Sequence, residues 1–343
     1  LLINLLDEYI PAIEGSDLNE DPLNPITNTA KNIVKEFGDE TKIKWIHRSE
    51  RYTEKLATPD VTVSDLIGDV DPIKAATLKL PYSDERVIHF GLIPRSHRSI
   101  FVINELPDLQ ARIQVSLFNI LQESDIQIRG FKVRLPLDIQ FIFTANPEDY
   151  TNRGSIVTPL KDRIDSQILT HYPKSISVSQ RITEQEADIS EQQNSSVVVY
   201  PLVKEIIEQI AVEARSSEYV DEKSGVSARL TISAYENIIS YAERRKIIND
   251  EPKAYCRISD IVGVIPAITG KVELVFEGEQ EGPVKVANIL IGKAIKSVFE
   301  KNFPSPELLK KKKEQNPYTL ITSWFSKNNI VDIFSNASSD EYK

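Results

Sequence analysis

Two short apolar runs in the first half of the chain are each followed by polar residues. The first run with its polar end covers residues 99–105 (SIFVINE), and the second covers residues 141–146 (FIFTAN). A run of this length that is apolar at nearly every position is typical of a strand covered on both faces of a parallel sheet. We therefore expect the polar residues after each run to lie at the carboxyl edge of such a sheet.

Between these runs the pattern first takes a helical period and then alternates. The apolar positions that recur every four residues are Leu109, Ile113, Leu117 and Leu121. Asp108 stands where a side chain can cap the start of that helix. Residues 125–135 alternate around Arg129-Gly130, which predicts a β-hairpin with a two-residue turn. The order strand, helix, hairpin, strand indicates an α/β layer with an inserted hairpin.

The pattern outside this region predicts strands before it and helices after it. Residues 42–46 predict a strand, and residues 78–90 predict a second hairpin. Sequence patterns typical of strands become rare after Pro173. The segments that then predict helices are 178–189, 200–215, 231–246, 258–269 and 284–299.

These segments predict three parts of the chain. The expected parts are an α/β core over residues 1–175, a helical domain over 176–302, and a linker with a C-terminal tail over 303–343. The tail contains a basic run at 310–313, which we interpret as a solvated helix end, and a short apolar piece at 320–325.

Composition and charge exclude several classes of protein. Hydrophobic residues make up 41% of the chain and charged residues 27%, which is ordinary for a globular protein. No apolar run reaches the roughly 18 residues of a membrane helix, so we expect no membrane span. The single cysteine, Cys256, excludes an internal disulfide and fits a reducing cytosol, which predicts a cytoplasmic protein. The net charge of -10 argues against broad binding of nucleic acid.

The polar residues after the strands suit the hydrolysis of ATP. That reaction needs a carboxylate that polarises the attacking water and groups that stabilise charge on the γ-phosphate. Glu105 is the candidate base, and Asn146 can hold the same water or the γ-phosphate. Arg163, in a predicted short helix, can reach a phosphate across a subunit boundary. Arg229 opens a helix of the second domain and can reach back to the nucleotide.

Several motifs occur in the order in which one known family has them. The motifs are IFVINE, TANPE, PLKDRID and SARL, preceded by residues 65–71 and 91–100. Over roughly residues 1–270 the chain resembles the magnesium-chelatase and MoxR-type branch of the AAA+ ATPases. The resemblance implies an AAA+ parallel-sheet core with an inserted hairpin, followed by an α-helical lid. It also implies that Asn104-Glu105 is the Walker B pair, Asn146 sensor 1, Arg163 the arginine finger and Arg229 sensor 2.

The chain departs from this family at two points. Asn104 stands where Walker B has an aspartate, and a neutral amide holds hydrated Mg²⁺ less well than a carboxylate. The phosphate-cradling G-x-x-x-x-G-K-[ST] loop, Walker A, does not occur in the sequence. The chain also has no methionine, so we expect it to begin after that loop, with Leu1 in the following helix.

The resemblance implies a ring-forming ATPase, a hexamer of this chain, that uses ATP and Mg²⁺. It further implies the remodelling of a partner protein or assistance in metal insertion, with a von Willebrand A-type protein as partner. A MoxR-like chaperone role is favoured over chelatase activity, because no tetrapyrrole site can be identified in the sequence. The fragment itself is expected to be inactive. The alternative is a non-catalytic nucleotide-sensing or scaffold module, which Asn104 favours.

Each candidate residue also has a plainer interpretation. Glu105 is alternatively a helix-cap acid, and Asn146 is alternatively part of an Asn-Pro turn. Arg163 is alternatively the salt-bridge partner of a neighbouring aspartate, and Arg229 an ordinary helix-surface arginine. The basic face of the hairpin is either a solvated face or a face toward the pore of a ring or toward a partner protein. The histidines lack the spacing of metal ligands, so we predict no structural metal.

Overall fold

A computed structural model gives the fold of the chain as two compact units. The residues that it describes are 2–82, 84–123, 126, 128, 135–146, 155–305 and 316–342. The first unit is Leu1–Ile168 and the second is Leu169–Lys343. The fold class expected from the sequence, a parallel-sheet α/β core followed by helices, is confirmed.

The first unit is built around a parallel sheet of three strands. Their order is β3 (Tyr52–Leu56), β6 (Ser99–Asn104) and β7 (Ile139–Phe143), so β6 lies in the middle. The register pairs Leu56 with Asn104 and Ile103 with Phe143, which aligns the carboxyl ends of all three strands. Every residue of β6 before Asn104 is buried, as its continuous apolar sequence predicts.

Shorter strands and helices complete the first unit. The other strands are β1 (Tyr9–Ile13), β2 (Ile43–His47), β4 (Gly68–Val70) and β5 (Ile88–Phe90). The α-helices are α1 (Asn28–Phe37), α2 (Val63–Leu66), α3 (Pro72–Leu78), α4 (Leu92–Arg95), α5 (Ala111–Ser116), α6 (Phe118–Glu123) and α7 (Thr158–Lys161). The antiparallel pairs are β1 with β2 and β4 with β5. The strand expected at 42–46 is therefore confirmed as β2.

The hairpin predicted for residues 78–90 is wrong. Pro72–Leu78 is helix α3, because Asp71 Oδ1 accepts hydrogen bonds from the backbone of Ile73 and Lys74 at 2.9 and 3.1 Å and a proline opens the first turn. Strand β5 pairs instead with β4, which precedes that helix.

The helix predicted after Glu105 is divided in the structure. Asp108 ends a 3₁₀ turn, Leu106–Asp108, and does not cap the helix; α5 begins at Ala111. The helix stops again at Leu117, whose N–H bonds to Gln114 O, three residues back, at 3.2 Å. Three of the four predicted apolar positions are nevertheless buried, since Leu109, Ile113 and Leu117 are each at most 2% exposed, and the fourth, Leu121, is partly buried.

The inserted hairpin lies largely outside the described residues. Of residues 125–135, only Ile126, Ile128 and Leu135 are described, and all three are buried. The basic run at 310–313 also lies outside the described residues.

The second unit is helical and confirms the predicted helices to within a few residues. Its helices are α8 (Ile176–Glu186), α9 (Glu191–Ser196), α10 (Pro201–Arg215), α11 (Arg229–Ile248), α12 (Ile265–Thr269), α13 (Phe276–Glu281) and α14 (Pro283–Asn302), with a 3₁₀ helix at Ile258–Val264. A two-stranded parallel pair joins β8 (Val197–Val198) to β9 (Ala254–Tyr255). Helices α10, α11 and α14 form the core, in which Ile210, Ile238 and Leu290 are fully buried.

The described part of the tail runs over the second unit. The apolar piece predicted at 320–325 forms the helix Thr319–Phe325, whose Leu320 remains 82% exposed. Farther along, Arg257 Nη1 donates to Ala337 O at 2.9 Å, and Ser339 N donates to Glu251 Oε1 at 2.6 Å. Among the residues that the structure describes, no helix combines the length and the apolar character needed to cross a membrane.

Cys256 lies in the core of the second unit and should report on its unfolding. Its side chain is 1% exposed, and burial raises the pKa of the thiol from 9.0 to about 12. Because the thiolate is the reactive form, we expect the folded protein to react with a thiol reagent at least about a thousandfold more slowly than a free thiol. Absorbance after addition of dithionitrobenzoate, with and without urea and with N-acetylcysteine as the control, measures this. Rapid labelling in native buffer would contradict the burial of Cys256.

Candidate functional site

Glu105 follows the middle strand and has a left-handed backbone. Its φ of 57° and ψ of 47° are rarely adopted by a residue with a side chain. Two hydrogen bonds to the segment after β7 fix this turn: Glu105 N donates to Thr144 Oγ1 at 3.1 Å, and Leu106 N donates to Thr144 O at 2.9 Å. The carboxylate is therefore held, half-buried, at the carboxyl edge of the sheet. An uncommon backbone that is fixed from a neighbouring strand is typical of functional sites.

Asn104 ends the middle strand and bridges its two neighbours. Its Nδ2 donates to Glu54 Oε1 on β3, and its Oδ1 accepts from Thr144 Oγ1, after β7, at 3.1 Å. Tyr52 donates its hydroxyl to the other carboxylate oxygen of Glu54 at 2.9 Å. A chain of hydrogen bonds thus crosses all three strands beside Glu105.

Asn146 lies at the same edge of the sheet. Strand β7 ends at Phe143, and Asn146 follows it by three residues with an exposed side chain. Because the strands are parallel and aligned, the end of β6, with Asn104 and Glu105, lies beside the end of β7, which Asn146 follows. The sheet therefore places the base and the amide that the sequence proposes at one edge.

Arg163 is held within the first unit, just after α7. Its Nε donates to Gln122 Oε1 at 3.1 Å and its Nη1 donates to Pro159 O at 2.7 Å. Its guanidinium lies 4.8 Å from the centre of the Phe118 ring. These contacts tie Arg163 to α6 and α7. Among the described residues it forms no ion pair with Asp162 or Asp165, so these contacts set its orientation.

Arg229 belongs to the second unit. It is the first residue of α11, its side chain is exposed, and its N–H donates to Ser227 Oγ at 3.2 Å. It opens a helix, as predicted. Its role as sensor 2 stays a prediction.

Two residues of the site were not singled out in the sequence. Thr144 stands inside the TAN motif, and its polar side chain directly after an apolar run was a signal that could have identified it. Glu54 gave no such signal, because it lies within a strand whose pairing with β6 depends on residues about fifty positions later.

The oxygen atoms at this edge suit a hydrated magnesium ion. Glu54, Asn104 and Glu105 offer carboxylate and amide oxygens, which are the ligands that Mg²⁺ prefers, and Mg²⁺ commonly keeps several of its waters. Within the described ranges, no group of three or more His, Cys, Asp or Glu residues is arranged to hold a metal ion directly. The arrangement therefore fits an ion held through its water shell.

Comparison with known proteins gives weak similarity to several solved structures. No family model matches the chain. A putative ATPase from Cytophaga hutchinsonii shares 18% identity with it over 78% of this chain and 82% of that chain, with a TM-score of 0.29. The complex between subunits BchI and BchD of magnesium chelatase gives 16% identity, 81% and 84% coverage and a TM-score of 0.38. NtrX from Brucella abortus in complex with ADP gives 14% identity, 81% and 58% coverage and 0.41.

Proposed function

We propose that this chain belongs to an AAA+ ATPase of the magnesium-chelatase or MoxR type and that ATP is hydrolysed at the carboxyl edge of β3, β6 and β7. The observation that carries the proposal is the position of Glu105, whose backbone Thr144 holds in a left-handed conformation at the end of the middle strand. Asn104 and Asn146 lie at the same edge, in the order that the family motifs require.

The roles of the residues follow from their chemistry. The carboxylate of Glu105 accepts the proton of the water that attacks the γ-phosphorus, and Asn146 holds that water or a γ-phosphate oxygen. The Oδ1 atom of Asn104 would hold a water of the magnesium shell. Bound Mg²⁺ supplies neutralisation of the charge on the phosphates. Arg163, from a neighbouring copy of the chain, stabilises the charge that develops on the γ-phosphate.

This use of Arg163 implies a ring, and we propose a hexamer. It also implies that two inactive variants of the full-length protein complement each other. Arg163→Ala and Glu105→Gln should each be inactive, whereas an equal mixture should regain activity, because about a quarter of its interfaces pair an intact Arg163 with an intact Glu105.

The measurement is the rate of phosphate release from ATP by each variant alone and by the mixture, at several protein concentrations. The control is Glu105→Gln alone at the total protein concentration of the mixture. A mixture as inactive as its components would exclude the action of Arg163 across the interface.

Through the resemblance we also propose a MoxR-like remodelling role, with a von Willebrand A-type protein as partner. The neutral amide of Asn104 favours a second candidate, a nucleotide-sensing scaffold that binds ATP without turnover. Nucleotide binding by the wild-type protein, with no phosphate release at any concentration, distinguishes the scaffold from the ATPase.

A further inference from the structure

The side chain of Asn104 has a defined orientation. A carboxylate can only accept hydrogen bonds, so the NH₂ group of Asn104 must face Glu54. The Oδ1 atom then faces the other way and accepts from the Thr144 hydroxyl at 3.1 Å. An amide oxygen has two lone pairs, and this bond uses one of them. The other lone pair is available to a water at the edge of the sheet.

The carboxylate of Glu54 is itself held in place. Its Oε1 accepts from Asn104, and its Oε2 accepts from the Tyr52 hydroxyl at 2.9 Å. A negative charge is therefore fixed one hydrogen bond away from Asn104.

We propose that Glu54 and Asn104 act as one unit in place of a single aspartate: Glu54 provides the negative charge and orients the amide, and Asn104 Oδ1 contacts the water shell of Mg²⁺. Glu54 is thus a positioning residue for the metal that accompanies the nucleotide. The inference rests on the proposed ATPase function, and it explains how a site with asparagine at position 104 can hold Mg²⁺.

A purely structural role for Glu54 predicts a different response to substitution. Glu54→Gln keeps the length of the side chain and an oxygen that accepts from Asn104 Nδ2, but it removes the charge. If Glu54 only orients the amide, this variant should bind Mg²⁺ normally. If the charge matters, Mg²⁺ should bind more weakly although the fold is unchanged.

The experiment measures how the affinity of the full-length protein for a fluorescent ADP analogue depends on the concentration of MgCl₂. Glu54→Gln should raise the Mg²⁺ concentration at half-maximal effect by about tenfold or more, as is usual when a residue behind a metal ligand is changed. The matched control is Glu36→Gln, which removes the same charge from an exposed position on α1. It should leave the midpoint unchanged.

An exchange of the two groups tests the unit directly. In the double variant Glu54→Gln with Asn104→Asp, the amide and the carboxylate change places, so both the charge and the hydrogen bond are retained. We expect the double variant to regain most of the Mg²⁺ affinity that Glu54→Gln loses. This rescue also shows whether Glu54→Gln failed through misfolding.

The outcomes separate the two proposals. If the wild-type protein binds the ADP analogue and Glu54→Gln has the same Mg²⁺ midpoint, the role of Glu54 is wrong while the ATPase proposal stands. If Glu54→Gln is weakened but the double variant is not rescued, the two residues do not act as a unit. If the wild-type protein binds no nucleotide at any Mg²⁺ concentration, both proposals are overturned.

Discussion

Replacing Glu105 with glutamine is expected to lower the rate of ATP hydrolysis by the full-length protein about a hundredfold or more, while ATP still binds. Glutamine has the same size and branching, so it should adopt the left-handed conformation of residue 105 at the same cost. The hydrogen bond from the backbone N–H of residue 105 to the Thr144 hydroxyl does not involve the substituted side chain and is unaffected. What is lost is the ability of the side chain to accept a proton from the attacking water.

The measurement is steady-state phosphate release, combined with the binding of a fluorescent ATP analogue to separate turnover from affinity. Glu36→Gln, at an exposed position on α1, is the matched control and should retain the wild-type rate. Equal rates for wild-type protein and Glu105→Gln, with ATP bound by both, would remove Glu105 from the mechanism and favour the nucleotide-sensing scaffold.

The second large effect concerns stability. Arg245 and Asp260 form an ion pair inside the second unit, with side chains 2% and 1% exposed. Asp260 also accepts from Arg257 N at 2.7 Å, and Arg245 donates to Tyr255 O at 2.7 Å. Asp260→Ala leaves a guanidinium charge buried without its partner, so we expect the free energy of unfolding to fall by about 3–5 kcal/mol.

Urea denaturation followed by circular dichroism measures this loss. The matched control is Glu281→Ala, which breaks the ion pair with Lys285 at the surface and should cost less than about 1 kcal/mol. Because a buried pair is often replaceable by apolar side chains, Arg245→Met combined with Asp260→Leu should recover much of the stability. A loss for Asp260→Ala no larger than that of Glu281→Ala would show that the pair contributes little.

The second unit was the more predictable one because its signals are local. Apolar residues with a helical period, and prolines in the first turn of α10 and α14, place these helices to within a few residues. The sequence also identified the buried strand β6, the half-buried strand β7 and the polar residues that follow them. Each of these conclusions needed only residues that are neighbours in sequence.

The predictions that were wrong or incomplete failed because of contacts between distant residues or because of competing local signals. The hairpin expected at 78–90 did not form, because Leu78 is the last residue of helix α3, which Asp71 caps, and because β5 pairs with β4, which precedes that helix. The contact between Glu54 and Asn104 depends on the register of two strands about fifty residues apart. Periodicity along the chain carries no information about such a register.

The backbone of Glu105 has a consequence for how this chain tolerates change. A residue with a side chain in the left-handed conformation costs roughly 1–2 kcal/mol of folding free energy more than glycine there. Glycine at position 105 would therefore remove a destabilising contribution to the fold. Under the proposed function, selection for folding alone and selection for hydrolysis therefore act in opposite directions on this one position. In related chains, glutamate at this position would then accompany hydrolysis, and glycine or asparagine would accompany its loss.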